Sequence, residues 1–451
     1  MLVRQMWNAL GGSESILERL EITSHGDLES VYQVSDLATS AVAVAALAIA
    51  ELIGNNDPKT PRVTVDNRLA SLWFASSIHP IGWRMSPVWD PFAGDYRTVD
   101  GWIRLHTNAP RHRDAVEHVL GCHADRNSMS GAVGKWLATE LETAVVGAGG
   151  CAAEMRSLDA WALHPQGIAV LSEPLVATVE RQVTDMGRWR PSRSSPLAQL
   201  KVLDLTRILA GPVASRFLSG FGANVLRIDP PEWDEPGVVP EVTLGKRCAR
   251  LDLHVTSDRR IFEDLLSQAD VLLHGYRPGA LDRLGYDEAA RQSISPQLVD
   301  VSLNAYGWSG PWAARRGFDS LIQMSTGIAH AGMVWMNCRE PKPLPVQALD
   351  HATGYLMAAQ VIRSLSDRLT AKTTTTSRLS LARCAKLLSD QGERGSTPIL
   401  DARNALDLSP RVERTFWGEV RRLRPPVEVE GASMDWRYPA SPLGSADPTW
   451  G

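Results

Sequence analysis

Two aspartates head stretches of the same pattern. Asp350 stands in ALDHATGYLMAAQVIRSL and Asp36 in VSDLATSAVAVAALAIAELI, each in D-x-A-T before a long apolar run, 314 residues apart. A carboxylate in that place can cap amides that lack partners in a helix's first turn. It can also stand ionised beside the helix's positive end and act as a nucleophile. Residue types and spacing alone favour the cap. A second stretch with chemical potential is Arg207-Ile208-Leu209-Ala210, between an apolar strand and a helix, at the sheet edge where such folds bind anionic ligands. Four histidines, His106, His112, His118 and His123, crowd one segment. His112 and His118 are six apart, off a common helix face, and no carboxylate pair completes a set. The segment therefore reads as a solvated helix with incidental histidines, and no metal site is expected. The five cysteines are scattered without a C-x-x-C pair, which points to free thiols rather than disulfides or zinc. No G-x-G-x-x-G follows the first strand of the α/β region, which excludes the simplest dinucleotide site.

The elements that must hold these residues follow from hydrophobic period. LKVLDLT, NVLRIDPP, DVLLHGY and LVDVSLNAYG are short apolar strands, and RILAGPVASRFLSGFGA and RIFEDLLSQA are amphipathic helices between them. Strand and helix in alternation imply a doubly wound, Rossmann-like parallel sheet, here placed at 200–390. A smaller α+β domain is read at 88–183, with a turn at Asp100-Gly101 joining two strands before a helix. A polar, Pro- and Ser-rich linker occupies 184–199. Residues 1–87 form an amino-terminal helical segment, and 391–451 a tail rich in Pro and Trp that wraps a surface. Both D-x-A-T runs are followed by a polar turn, a strand and a helix, at 62–74 and 377–388, which is the mark of a partial duplication.

At 451 residues, with 47 basic and 51 acidic side chains, the chain has room for two or three domains and shows no basic footprint for nucleic acid. Its 15 tryptophans lack the basic interleaving of a single-strand platform and are expected to pack the tail and a dimer interface. The apolar run Ala41–Ile53 is shorter than the about 20 residues that span a bilayer, so neither a membrane nor an export signal is expected, and the protein is read as cytoplasmic.

The runs PLAQLKVLDLTRILAGPVASRFLSGFGANVLRIDPP, GKRCARLDL, ADVLLHGYRPGALDRLGY, VDVSLNAYGWSGPWAARRGFDSLIQMSTG and ALDHATGYL, in that order, resemble the family III CoA-transferases. That group includes formyl-CoA transferase, carnitine CoA-transferase and α-methylacyl-CoA racemase. The residues between Asp36 and about 180 are similar to the family's later half, so the order of segments implies a circular permutation.

The resemblance implies transfer of coenzyme A between an acyl-CoA thioester and a carboxylic acid through an aspartyl-CoA intermediate, with CoA a co-substrate and no cofactor held permanently. It makes Asp350 the nucleophile, with Asp36 as rival; Asp350 is preferred because Gly354 follows it where the first copy has Ser40. It assigns CoA contacts to Arg207, Ile208, Leu209, Ala210, Lys246, Tyr276, Arg283 and Arg316, and an interlocked homodimer as the assembly. Racemases of the group carry a histidine where Phe318 stands, and phenylalanine cannot exchange a proton, which favours transferase over racemase. The glycine-rich loop of formyl-CoA transferase is not visible near Trp83–Tyr96, so specificity for formyl-CoA or oxalate is not implied. The alternatives are a non-catalytic CoA-binding or scaffolding homologue and, behind it, an acyl-CoA racemase or isomerase.

Overall fold

The computed structural model describes residues 2–55 and 59–451. Its centre is a seven-stranded sheet built from the apolar runs, which are buried on both faces. Six strands are parallel, in the spatial order Lys246–Arg250, Asn224–Asp229, Lys201–Leu205, Val271–His274, Val299–Asn304, Thr373–Ser380. In chain order that is third, second, first, fourth, fifth, sixth, the doubly wound arrangement expected. The order reverses between Lys201–Leu205 and Val271–His274. At that switch point the two following connections leave toward opposite faces and open a crevice at the strands' carboxyl ends.

The pleat divides the core. Val202, Val225, Val271 and Val301 face one side with both long helices, Val34–Gly54 and Ala348–Thr370. Leu203, Leu226 and Leu272 face the other, under Phe262 and Leu265 of the helix Thr256–Ser267. The long helices pack against each other. By length and composition Val34–Gly54 could cross a membrane, contrary to the estimate from Ala41–Ile53, but nearly all of it is buried here as a core helix. The duplicated succession is present: Val63–Asp66 runs into Asn67–Trp73, capped by Asp66, and Thr373–Ser380 into Leu381–Ser389, capped by Ser380. Asn56, Asp57 and Pro58 of the first polar turn lie outside the described residues.

Three differences from the sequence reading concern boundaries. Ala177–Gln182, assigned to the small domain, is the seventh strand of the large sheet, antiparallel to Thr373–Ser380. The amino-terminal segment is not only helical: besides the strand expected within 62–74, Leu20–Thr23 and Ile78–Pro80 are strands. The tail does more than wrap, because Val427–Val429 pairs with Val63–Asp66 and Gly418–Leu423 with Ile78–Pro80. Trp436 of the tail stacks on Trp73 at 5.6 Å. Residues 184–199 carry no regular structure, as a linker should.

The small domain is an antiparallel sheet of Gly94–Arg97, Trp102–Leu105 and Ala152–Glu154, with helices Pro110–Leu120, Arg126–Val133 and Ala138–Gly147 closing a core of Tyr96, Ile103, Leu105, Val116, Met129 and Leu141. It docks on the helix Asp319–Ser325 through Cys151 and Ala153 against Leu321 and Met324. That contact sets the domain beside the crevice.

Candidate active site

A cavity of about 450 Å³ fills the crevice at the switch point. Arg207, Ile208 and Ala210 of the first loop line it, with Tyr276 and Arg277 after the fourth strand, Arg316, Phe318 and Asp350. A second cavity of about 250 Å³ adjoins it, lined by Val88, Trp89, His106, Leu209, Ser320 and Gln347. Ile208, Trp233, Phe318 and Asp350 border both. Asp350 therefore stands where the two meet.

Local structure explains how it gets there. The helix Ala348–Thr370 has Gln347 at its N-cap with no side-chain cap hydrogen bond, and Asp350 lies inside the first turn. The backbone N–H of Asp350 donates to Asp319 Oδ2 at 2.9 Å, so another residue's carboxylate does the capping. The Asp350 carboxyl itself accepts no hydrogen bond among the described residues and is 9% exposed. Burial pushes the Asp319 carboxyl up to about 6, and burial with Asp319 alongside raises the Asp350 carboxyl well above the ordinary range. Gly354, one turn on, lets the first loop approach: a Cβ there would lie 2.3 Å from the Ala210 carbonyl oxygen and 2.8 Å from Val213 Cβ. Ile208 takes φ +65°, a left-handed conformation costly for a β-branched residue by about 1–3 kcal/mol, and its N–H donates to Glu235 Oε2 at 2.9 Å.

The larger cavity is cationic. Arg111, Arg207, Arg277, Arg315 and Arg316 line it. Arg315 is neutralised by Glu142 at 3.0 Å, and Arg316 donates to the Gly149 carbonyl. Arg111 and Arg207 lie 5.8 and 4.6 Å from the ring centroid of Trp233, and Arg207 also 5.5 Å from that of Tyr276. Arg111, Arg207 and Arg277 have no carboxylate partner among the described residues. Burial and repulsion from Arg316 and their other neighbours lower both Arg111 and Arg277. A set of guanidinium groups held against their own repulsion, with aromatic faces between them, suits a polyanion that also carries a ring.

Of the sequence-assigned contacts, Arg207, Ile208, Ala210, Tyr276 and Arg316 come together on this cavity, and Leu209 lies on the smaller one. Lys246 does not join them. It is buried under the sheet, its ammonium donating to the Pro212 carbonyl at 2.9 Å and pairing with Asp204 at 3.3 Å, and burial brings it down to about 8. Its place on a strand whose alternate side chains face the core removes it from any ligand. Arg283 does not line the cavity; its charge reaches it only by repelling Arg277. Asp36 lines neither cavity, and its carboxylate accepts from Ser40 at 3.4 Å.

The histidine segment departs from a solvated helix at two of its four rings, His118 being exposed and His123 half-buried. His106 and His112 are buried, at 5% and 1% exposure, and His106 stacks on Phe318 at 3.8 Å. Burial holds His106 down to about 3 and, with Arg111, His112 to about 4, so both rings are neutral. Among the described residues no group of three or more His, Cys, Asp or Glu could hold a metal ion. Sequence reasoning missed Arg111, Trp233, Arg277 and Asp319 as well; Arg277 and Asp319 adjoin residues it named, and Arg111 adjoins His112.

Residues 197–393 match the model of CoA-transferase family III. The acetyl-coenzyme A transferase nodX of Hypoxylon pulicicidum is 36% identical over 182 residues, 39% of this chain and 31% of that protein. The probable fatty acyl-CoA transferase Rv3272 of Mycobacterium tuberculosis is 31% identical over 191 residues, 39% of this chain and 48% of that one. A crystal structure of the latter superposes with a TM-score of 0.40 at 28% identity, over 44% of this chain and 59% of that chain. The chain thus spans a third to a half of the length of these two curated relatives. The matched segment contains the parallel strands, the first loop and Asp350, and over residues 197–393 the chain is similar to CoA-transferase family III.

Proposed function

We propose that this chain moves coenzyme A from an acyl-CoA thioester to a carboxylic acid, with Asp350 as nucleophile. The observation that carries the reading is the place of Asp350, on the border of a cationic cavity and a smaller one, with no hydrogen bond to its carboxyl from the described residues. The arginines and Tyr276 suit the phosphates and ring of CoA, and the smaller cavity suits the acyl group. The ionised carboxylate attacks the thioester carbonyl, giving an acyl-aspartyl anhydride and CoA thiolate. The thiolate then attacks the aspartyl carbonyl and frees the donor acid, leaving aspartyl-CoA. An acceptor carboxylate repeats the two steps in reverse. The amide dipoles at the helix start favour charge on the oxygens of each tetrahedral intermediate.

His106, Trp89 and Arg111, which precede the large sheet in sequence, wall the site of the same chain, so the reading needs no second copy to complete it. The order of segments supports a circular permutation of the family's arrangement; the interlocked homodimer inferred from the resemblance is a separate proposal, tested by light scattering. A second reading has one observation behind it: the neutral imidazole of His106 lies on Phe318, in the cavity that Asp350 borders. That pair could move a proton at the α-carbon of an acyl-CoA.

The test is incubation with a panel of acyl-CoA thioesters, each with unlabelled and isotopically labelled carboxylic acids, in deuterated water. Transfer predicts new CoA thioesters of the added acids. Deuterium at the α-carbon without exchange of acids would support the second reading, and neither product with any pair would contradict both.

A further inference from the structure

Asp319 is fully buried, and its two carboxylate oxygens have separate duties. One accepts the backbone N–H of Asp350 at 2.9 Å; the other accepts the side-chain amide of Gln323. Gln323 in turn uses its oxygen to accept the Leu344 N–H at 2.7 Å, which ties the loop before the long helix to the same assembly. Among the described residues, no cation forms an ion pair with Asp319 or Asp350.

The first copy of the helix shows the same device with a different outcome. Asp27 Oδ1 accepts the Ser35 N–H at 3.0 Å, one residue before Asp36. There the capping carboxylate has a cation, with Arg394 at 3.5 Å, and Asp36 has Ser40 as donor. In the second copy both compensations are gone: glycine replaces the serine at Gly354, and among the described residues no arginine forms an ion pair with Asp319. An aspartate in the first turn of a helix ordinarily turns back onto the free amides. Asp319 already fills that position.

We propose that Asp319 is the positioning residue for Asp350: by capping the long helix in its place, it keeps the Asp350 carboxyl free of the amides and turned to the junction of the two cavities. The proposal rests on the transferase reading for its kinetic consequence, and on geometry alone for its structural one. Two carboxyls so close cannot both ionise easily, so the pair also sets the acid side of the pH range over which Asp350 can attack. Other titratable or charged groups around it are Asp90, Arg104 and His106 on the small domain, Arg111 and His112 on its first helix, Arg207 on the first loop, Asp234 and Glu235 beyond the second strand, Arg316 before Phe318, and Cys384 on the helix Leu381–Ser389. Both histidines are neutral over the range in question.

The experiment compares the wild-type chain with Asp319→Asn, Asp319→Ala and Asp27→Asn. Asparagine keeps an acceptor and removes the charge, so Asp319→Asn should move the acidic limb of kcat/KM down by at least one pH unit. Alanine removes the acceptor too, and should lower plateau kcat at least 30-fold while KM for CoA changes less than threefold. Asp27→Asn should leave the limb in place. A limb unmoved in Asp319→Asn, or a loss in Asp319→Ala that appears in KM instead of kcat, would overturn the proposal. If wild type transfers no CoA, the function reading fails, and urea unfolding decides the proposal on its own. The midpoint of Asp319→Asn relative to wild type should then rise between pH 5 and pH 8, and an equal difference at both pH values would overturn it.

Discussion

The two long helices begin alike and end in different roles. Val34–Gly54 and Ala348–Thr370 share D-x-A-T, pack side by side, and lead into the same succession of strand and helix, yet the second borders the two cavities of the candidate site and the first lines neither. The difference lies in small changes. Ser40 occupies the position that Gly354 leaves empty, and its hydroxyl binds Asp36; in the second copy the vacant position admits the first loop, with Ala210 and Val213 against the helix. Asp27 is neutralised by Arg394, whereas Asp319 is left beside a second carboxyl. The same backbone motif is thus a satisfied core element where Ser40 and Arg394 partner its carboxylates, and, on the proposed reading, a reactive one where Asp350 has no donor and Asp319 no ion pair.

Four expectations press on that contrast. The largest effect belongs to Asp350→Ala, which should reduce transfer by about three orders of magnitude or more while changing the Kd for CoA less than threefold. Asp36→Ala should alter kcat/KM less than threefold, and a loss comparable with that of Asp350→Ala, in steady-state transfer assays, would reverse the assignment of the two copies. Next, Gly354→Ser gives the second helix the side chain of the first. With backbone oxygen 2.3 Å from the new Cβ, it should cost about 2–3 kcal/mol in urea unfolding and weaken CoA binding. The reciprocal Ser40→Gly should cost about 1 kcal/mol or less.

Among the cations, Arg277→Ala should weaken CoA binding by about 10-fold or more, since a charged hydrogen bond contributes about 1.5–3 kcal/mol. Arg283→Ala, off the cavity, should change it less than threefold by calorimetry, and the effect of Arg277→Ala should shrink as salt is added. The smallest effect is on stability. The folded state raises the Asp350 carboxyl, so the stability tied to its proton is complete at low pH and is lost as pH rises through the raised value. Asp350→Asn escapes that loss, and should match the parent at pH 4 and exceed it by about 1–2 kcal/mol at pH 8. Asp36→Asn should show the same sign with a smaller gain, because Asp36 is more exposed and has a donor in Ser40.

Much of the frame was legible in the sequence because it is local. Apolar period marked the four central strands of the large sheet, though not the edge strand Lys246–Arg250, and the repeated D-x-A-T run marked both long helices. The first loop was legible for the same reason: a strand that ends and a helix that begins define the carboxyl edge wherever the chain later goes. What failed depended on facing and distance. The resemblance put Lys246 on CoA, but on KRCAR the pleat turns it into the core toward Asp204. His106 and His112 were dismissed by a spacing argument that assumes one helix face, whereas the cavity takes walls from segments some two hundred residues apart. Nothing near residue 319 announces that its carboxylate will cap a helix beginning at Ala348; that bond exists only after the fold has closed. The seventh strand was missed because ATVERQ is mostly exposed at the sheet edge and shows little apolar signal.

The central claim, that Asp350 and not Asp36 becomes the covalent carrier, is tested most directly by hydroxylamine trapping. The full chain is incubated with acyl-CoA thioesters, quenched with hydroxylamine, digested and mapped by mass spectrometry. A hydroxamate confined to the peptide that contains Asp350, and absent from Asp350→Ala, is the predicted result. A hydroxamate on the Asp36 peptide, or turnover of the thioester with no adduct on either, would contradict the account.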